Sequence, residues 1–162
     1  MESGTELTFQ DVWGSSSTDV YAVAMDFPSA QWTVVHFNGT TWQPVEVASD
    51  PFNRPGGVWA ISKNSVFIAS DHVFRFDGIR WRRLEVPNKL YNMGGVQGLA
   101  INDVFVVGSF GVVLHWNGAT WKQYEELLKP EGGRLLRRIW TSGQEVFIVG
   151  SSQTLGVILH GR

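Results

Sequence analysis

The sequence predicts an all-β fold of about four repeated antiparallel units, and three observations support this prediction. A turn-forming heptapeptide occurs three times, as HFNGTTW at 36–42, RFDGIRW at 75–81 and HWNGATW at 115–121. An apolar run of four residues recurs at intervals of 46, 38 and 42 residues. The 162 residues are 13% aromatic and include 18 Gly but are only 17% charged, a balance typical of packed sheets joined by tight turns.

Each unit begins with a short strand, continues through a polar turn and then reaches the apolar run. The apolar runs begin at Val20, Val66, Val104 and Val146. Because they are apolar at successive positions, we expect them to be central strands covered on both faces. The short strands upstream centre on Trp13, Trp59, Gln97 and Trp140, so Gln97 is the one departure from Trp. These Trp either line a central funnel or pack between units.

The heptapeptide predicts a hairpin between the third and fourth strands of each unit. Asn-Gly or Asp-Gly between apolar strands is a strong hairpin signal, because both central residues of a type I′ turn need a positive φ. A two-residue loop places each Trp opposite an apolar partner, which predicts that these Trp belong to the core. The predicted pairs are Val35 with Trp42, Phe74 with Trp81 and Leu114 with Trp121.

Antiparallel four-stranded units of about 40 residues that are buried on both faces describe the blades of a β-propeller. We therefore predict one propeller domain over residues 1–162, with repeats at approximately 10–53, 54–93, 94–136 and 137–162 plus 3–9. The fourth copy stops at 159–162, so the N-terminal strand is expected to close the last blade. That strand could instead pair with a second copy to form a ring of eight blades. Residues 122–136 fit either a strand or a short helix.

The pattern VWGSSSTDVYAV, continuing to HFNGTTW, resembles a repeat of multi-blade bacterial propeller proteins whose function is mostly undefined. The resemblance covers nearly the whole chain, and it implies blade structure without any assigned chemistry. The turn is also similar to the Asp-box of sialidase-like propellers. Here, however, Gly78 follows Asp77 directly, which makes the spacing one residue short, and we infer no sialidase activity.

Composition and motifs argue against several classes of function. The net charge of −2 gives no general attraction to nucleic acid or to an anionic membrane. The absence of cysteine excludes a disulfide scaffold, a thiol nucleophile and a thiolate metal site. No signal peptide is recognised, so a cytoplasmic location is the default expectation. No nucleotide-binding, hydrolase or metalloprotease motif occurs, which favours a protein without cofactor, metal or catalytic residues.

Two sets of titratable residues recur at equivalent repeat positions. One set consists of His36, His115 and His160, with Arg75 at that position in the second repeat. Because ring symmetry keeps such residues apart, we expect structural or solvated histidines instead of metal ligands. The other set consists of Asp19, Asp103 and Glu145. These carboxylates precede the central strands, and we interpret them as turn residues that bond nearby backbone.

Four arginines form the most local charge feature, at 75, 80, 82 and 83. We expect Arg75 and Arg80 to face each other across the turn at Asp77, a like-charge pairing that would fit an anionic partner. A blade edge protected from strand pairing by charge is the preferred interpretation.

The loops between second and third strands share one face of a propeller with the connections between blades, and we call it the loop face. Aromatic and polar residues gather there, and the candidate ligand-binding residues are Phe27, Trp32, Asp50, Phe52, Arg54, Tyr91, Phe110 and Arg134. Such a mixture suits stacking on a sugar ring while its hydroxyls are hydrogen-bonded. The sequence thus predicts a carbohydrate-binding module, with a protein-interaction scaffold as the alternative and a hydrolase-like enzyme third. We expect a carbohydrate or protein ligand, and either a monomer or a ring-completing homodimer.

Overall fold

The computed structural model describes residues 6–26, 29, 31–47, 54–87, 92–129, 131 and 133–162, and these residues form four antiparallel sheets. The first sheet consists of β1 (Thr8–Ser16), β2 (Asp19–Asp26), β3 (Gln31–Phe37) and β4 (Trp42–Val45). The second consists of β5 (Gly57–Ser62), β6 (Ser65–Ala69), β7 (Val73–Phe76) and β8 (Trp81–Leu84). The third consists of β9 (Met93–Ala100), β10 (Asp103–Gly108), β11 (Val113–Trp116) and β12 (Trp121–Gln123). The fourth consists of β13 (Arg134–Thr141), β14 (Val146–Ser152) and β15 (Leu155–Gly161).

The strands of every sheet follow one another in chain order, so each sheet is a meander. The first strands of successive sheets lie side by side, with β1 against β5, β5 against β9 and β9 against β13. These four strands are therefore the inner strands of a curved array. The predicted all-β fold of repeated antiparallel sheets is confirmed.

The two faces of each sheet have constant roles along the chain. The forward face packs on the following sheet, and the rear face packs on the preceding one. The forward face of the first sheet carries Trp13, Tyr21, Val23 and Val34, and it contacts Val58, Val66, Ile68 and Phe74 of the second. The next interface joins Trp59, Phe67, Ala69 and Val73 to Val96, Val104, Val106 and Leu114. The third joins Phe105, Val107 and Val113 to Ile139 and Ile148. The second and third sheets are therefore covered on both faces, as their apolar central strands predict.

Paired glycines allow the inner strands to approach one another closely. A Cβ atom at Gly94 would lie 2.4 Å from the carbonyl oxygen of Leu136, and one at Gly95 would lie 2.7 Å from that of Arg137. Real Cβ atoms do not approach backbone oxygen this closely, so only glycine fits between β9 and β13.

One side chain on β13 connects the first, third and fourth sheets and the residue that directly precedes the second. The guanidinium of Arg138 donates to the carbonyl oxygens of Gln10, Gly56 and Gly94 at 3.1, 3.1 and 2.9 Å, and to that of Arg137 at 2.9 Å. It also lies 3.7 Å from the carboxylate of Asp11. Because a planar guanidinium presents several donors in fixed directions, a single arginine can satisfy carbonyl groups of β1, β9 and β13 and that of Gly56, which directly precedes β5.

The repeated hairpin differs from its predicted register. Asn38 N donates to Thr41 O at 3.2 Å, so Gly39 and Thr40 are the central residues of the turn. Only Gly39 of these two has a positive φ, of 94°, whereas a type I′ turn needs two, and the Asn38 side chain accepts the N–H groups of Thr40 and Thr41. The type I′ prediction is therefore wrong. The observed cross-strand pairs are Phe37 with Trp42, Phe76 with Trp81 and Trp116 with Trp121.

This register moves the hairpin Trp to the margins of the interfaces. Trp81 and Trp121 are half-buried, and Trp42 is exposed on the rear face of the first sheet. Trp81 and Trp121 pack against the core from its margin, because the turn takes four residues and sets each Trp nearer the sheet end. Only for Trp42 is the predicted place in the core wrong.

The remaining fold predictions concern 122–136 and the closure of the last blade. β12 ends at Gln123, and a 3-10 helix follows at Glu125–Leu127, so this part of the segment is helical. Thr8 and Phe9 pair with Met25 and Ala24 in the first sheet. Residues 3–5 lie outside the described residues, among which the fourth sheet has three strands, so closure by the N-terminal strand stays a prediction.

Candidate functional site

A groove of about 700 Å³ lies between the third and fourth sheets. Its floor is apolar and consists of side chains from both sheets and the 3-10 helix. The floor residues are Phe105, Val113, Leu127, Ile148 and Leu159. The rim is polar and carries both signs of charge. The rim residues are Asp103, His115, Tyr124, Glu126, Gln144 and Arg162.

The groove begins at the sheet ends opposite to the loop face and extends to Leu127, whose carbonyl oxygen accepts from Arg134 Nη1 at 3.5 Å. Its lining includes Asn102 and Gly143, which belong to the turns between first and second strands. In an antiparallel meander those turns lie at one end of the sheet, and the turns between second and third strands lie at the other. We refer to the end that carries the turns between first and second strands as the turn face.

A carboxylate–histidine pair recurs on the turn face of three sheets. His36 Nε2 lies 2.7 Å from Asp19 Oδ1, and His115 Nε2 lies 2.7 Å from Asp103 Oδ1. In the fourth sheet His160 Nε2 lies 3.5 Å from Glu145 Oε1. The carboxylates therefore bind histidine side chains, which corrects their interpretation as residues that bond only nearby backbone.

Each of these histidines also stacks on an aromatic ring of the central strand. The ring centroids are 4.2 Å apart for Tyr21 and His36, 4.0 Å for Phe105 and His115, and 4.3 Å for Phe147 and His160. The carboxylate fixes the ring position and the aromatic neighbour fixes its plane, so the imidazoles are held rigidly. The predicted structural role of the histidines agrees with this geometry. Among the described residues, no group of three His, Asp or Glu side chains is placed to hold a metal ion.

An equivalent groove of about 610 Å³ lies between the first and second sheets. Tyr21 and His36 border it on one side, and Lys63, Arg80 and Trp81 border it on the other. Burial, reinforced by the negative charge of Asp19, raises the pKa of Tyr21 to about 12. Tyr21 Oη donates to the carbonyl oxygen of Lys63 at 3.3 Å, so this phenol links the two sheets.

The second sheet replaces the pair by a different arrangement. Arg75 takes the histidine position, and its guanidinium lies 5.6 Å from the ring centroid of Phe67. Arg75 pairs across the strands with Arg82 instead of the predicted Arg80, because of the shifted register. Arg82 Nε turns to Asp77 at 2.9 Å. Hydrogen bonds from the backbone N–H groups of Arg80 and Ile79 lower the pKa of Asp77 to about 2. The like-charge pair is thus relieved within the chain.

The predicted loop-face residues are described only in part. Phe27, Asp50, Phe52 and Tyr91 lie outside the described residues. Trp32 is half-buried on β3, and Arg54 is exposed before β5 with a φ of 50°. Phe110, with a φ of 60°, lies close to Arg134, because the next residue, Gly111, donates its N–H to Arg134 O at 3.1 Å. Phe110 and Arg134 therefore come together at one corner.

Sequence reasoning placed the candidate site on the loop face and did not find the grooves. One sequence signal of the grooves was present, because a carboxylate and a histidine recur at fixed repeat positions. The strand register is needed to show that the two side chains are in contact. No helix among the described residues is long and apolar enough to cross a membrane.

Four-stranded antiparallel meanders that stack face to face, with their first strands around a common axis, define a β-propeller. No protein-family model and no curated protein matches the chain. A solved structure of YCF48 bound to a D1 peptide matches it with a TM-score of 0.63 at 16% identity, over 98% of this chain and 56% of that one. YCF48 from Cyanidioschyzon merolae matches with a TM-score of 0.62 at 15% identity, over 97% and 57%.

These matches support the propeller fold of the chain, which spans just over half the length of the matched proteins. The narrower resemblance to bacterial propeller repeats stays a prediction.

Proposed function

We propose that this chain is a non-enzymatic protein-interaction module that binds a peptide segment of its partner in the groove between the third and fourth sheets. The observation that carries the proposal is the groove itself, with an apolar floor and a charged rim over about 700 Å³. Pockets of this size and lining accommodate a few side chains and orient them with a small number of polar contacts.

The lining also defines the kind of segment that fits. Phe105, Leu127 and Leu159 offer contacts for one or two apolar side chains. Glu126 on the rim favours a Lys or Arg beside it. Arg162, which lies at the turn-face end and 3.4 Å from Glu145, favours a carboxylate there. The His115 ring, which is stacked on Phe105 and bonded to Asp103, provides a flat surface. We therefore expect an extended segment with a basic residue, an apolar anchor and an acidic residue in order.

The comparison supports a protein partner, because one of the matched propellers was solved with a peptide bound. Carbohydrate binding, the leading interpretation of the sequence, has no such support. Its remaining candidates on the loop face are Trp32, Arg54, Phe110 and Arg134, and they serve below as the opposing set of variants.

The experiment selects binders from a displayed library of random peptides on the immobilised protein and measures their affinities by calorimetry. We expect Glu126→Lys and Arg162→Glu to raise the Kd of selected peptides by at least about tenfold, equal to about 1.4 kcal/mol. Both side chains are exposed, so neither change disturbs the core. Arg54→Glu is the matched control on the loop face, and it should change the Kd less than about twofold.

Two outcomes would overturn the proposal. If Arg54→Glu and Trp32→Ala weaken peptide binding while the groove variants do not, the site lies on the loop face. If no peptide is selected and a glycan array gives saturable binding, the ligand is a carbohydrate.

A further inference from the structure

Among the described residues, the first and last sheets each expose apolar side chains on one face, although Ala22 in the middle of the first of these faces is buried. On the rear face of the first sheet Val12 is 59% exposed, whereas its repeat equivalents Val58 and Val96 are 1% and 7% exposed. On the forward face of the last sheet Trp140 is 51% exposed, whereas its equivalent Trp59 is 3% exposed. The described residues thus form an open arc. Its two end faces expose residues whose repeat equivalents are buried between sheets.

Neighbouring residues extend both uncovered faces. Phe9 and Trp42 are exposed beside Val12 on the first sheet. Val149 and Ile158 are exposed beside Trp140 on the last sheet. Together these side chains form apolar patches at opposite ends of the arc, and contiguous exposed apolar patches mark sites of association.

The chain itself shows how these two faces fit together, since a forward face packs on a rear face three times within it. At two of these interfaces the Trp on the inner strand of one sheet contacts a small residue on the inner strand of the next sheet. That small residue is Ala60, two positions after Val58, or Gly98, two positions after Val96. Trp13 Nε1 donates to Ala60 O at 2.9 Å, and Trp59 lies against Gly98. The third sheet has Gln97 in place of this Trp. The sheet that follows it has the larger Thr141 in place of the small residue.

Within the described part of the chain, one forward-face Trp and one small rear-face residue have no partner of this kind, and they lie on the two end faces. Trp140 is exposed on the last sheet, and Gly14 occupies the small-residue position of the first. We propose that two copies of this chain associate head to tail, with Trp140 of each copy docked against Gly14 of the other, and so close one ring of eight sheets. The occupant is a second copy because the required rear face is present in this chain and matches the rule of its internal interfaces.

The matched propellers are longer than this chain, which covers 56% of one and 57% of the other. The proposal does not depend on the peptide groove, which lies within one copy.

The first experiment measures the mass of the wild-type protein by light scattering and sedimentation. We expect twice 18.1 kDa at micromolar concentration. Val12→Glu alters the rear face of the first sheet and Trp140→Glu the forward face of the last, and each changes both contacts of the ring. Each variant should raise the dissociation constant by at least about 100-fold and run as a monomer. Ile79→Glu is the matched control, because Ile79 is exposed on a turn away from both faces.

Mixing the two variants tests the head-to-tail geometry and the folding of the variants together. Val12→Glu keeps a native last sheet, and Trp140→Glu keeps a native first sheet. When the two variants are mixed, these two native faces can pack on each other, so a species of twice the monomer mass should reappear. Wild-type protein that stays monomeric would overturn the proposal. So would a wild-type dimer whose two variants fail to complement each other, because that result indicates like faces in contact.

Discussion

Replacing Arg138 by methionine tests whether one central side chain holds the arc together. The methionine keeps the apolar stem and removes the guanidinium, which donates to the carbonyl oxygens of Gln10 in the first sheet, Gly56 directly before the second and Gly94 in the third. A hydrogen bond that involves a charged group contributes about 1.5 to 3 kcal/mol when it is desolvated. The Arg138 side chain is 49% exposed, so we reduce each contribution to about 1 kcal/mol.

The sum predicts a loss of about 3 kcal/mol in the free energy of unfolding, a large part of the 5 to 15 kcal/mol typical of a domain. The assay is urea unfolding followed by Trp fluorescence at one fixed protein concentration. Arg137→Met is the control, because this neighbouring arginine is exposed. A loss below about 0.5 kcal/mol for Arg138→Met, or equal losses for the two variants, would refute the reasoning.

Three further predictions follow from local contacts. Tyr21 has a pKa raised from 10.0 to about 12, so its contribution to stability is complete below pH 10 and is lost as the pH rises towards 12. Tyr21→Phe should remove about 1 to 2 kcal/mol of this alkaline destabilisation in urea melts at pH 8 and pH 11, and an unchanged pH dependence would contradict it. Gly94→Ala should cost about 2 kcal/mol or more, because its Cβ would lie 2.4 Å from a carbonyl oxygen, whereas exposed Gly156→Ala, with open space around it, should cost less than about 1. Asp19→Asn should destabilise by about 2 kcal/mol and Asp103→Asn by less than about 1, because their side chains are 10% and 36% exposed, and thermal melts that reverse this order would exclude burial as the cause.

The sequence was sufficient for the sheets and insufficient for the details of their pairing. Apolar runs at successive positions and repeated Asn-Gly or Asp-Gly turns predicted four antiparallel units, because burial and positive φ each restrict residue choice strongly. The turn type was not determined by the dipeptide, since Asn38 can also remain outside the two central positions and accept N–H groups through its side chain. That alternative shifts the register by two residues, so it relocates Trp42 and changes the partner of Arg75.

The candidate site was less accessible to sequence reasoning, for a related reason. Asp103 and His115 are twelve residues apart, and only the register of β10 and β11 brings their side chains to 2.7 Å. The groove beside them depends on how far two sheets diverge, which is decided by packing between many side chains. Phe110 and Arg134 could be assigned to one face from topology alone, but their proximity depends on the backbone of Gly111.

The stacking of the sheets determines the order in which the structure opens. Each sheet shares its core with its sequence neighbours, so local stability is close to a sum of individual and nearest-neighbour contributions. The fourth sheet has three strands among the described residues and one covered face, and it therefore receives the smallest sum. Amide hydrogens of β14 and β15 should exchange through openings that leave β6 and β10 protected. Stability therefore falls from the middle sheets of the chain to its last sheet, and that last sheet forms one wall of the groove between the third and fourth sheets.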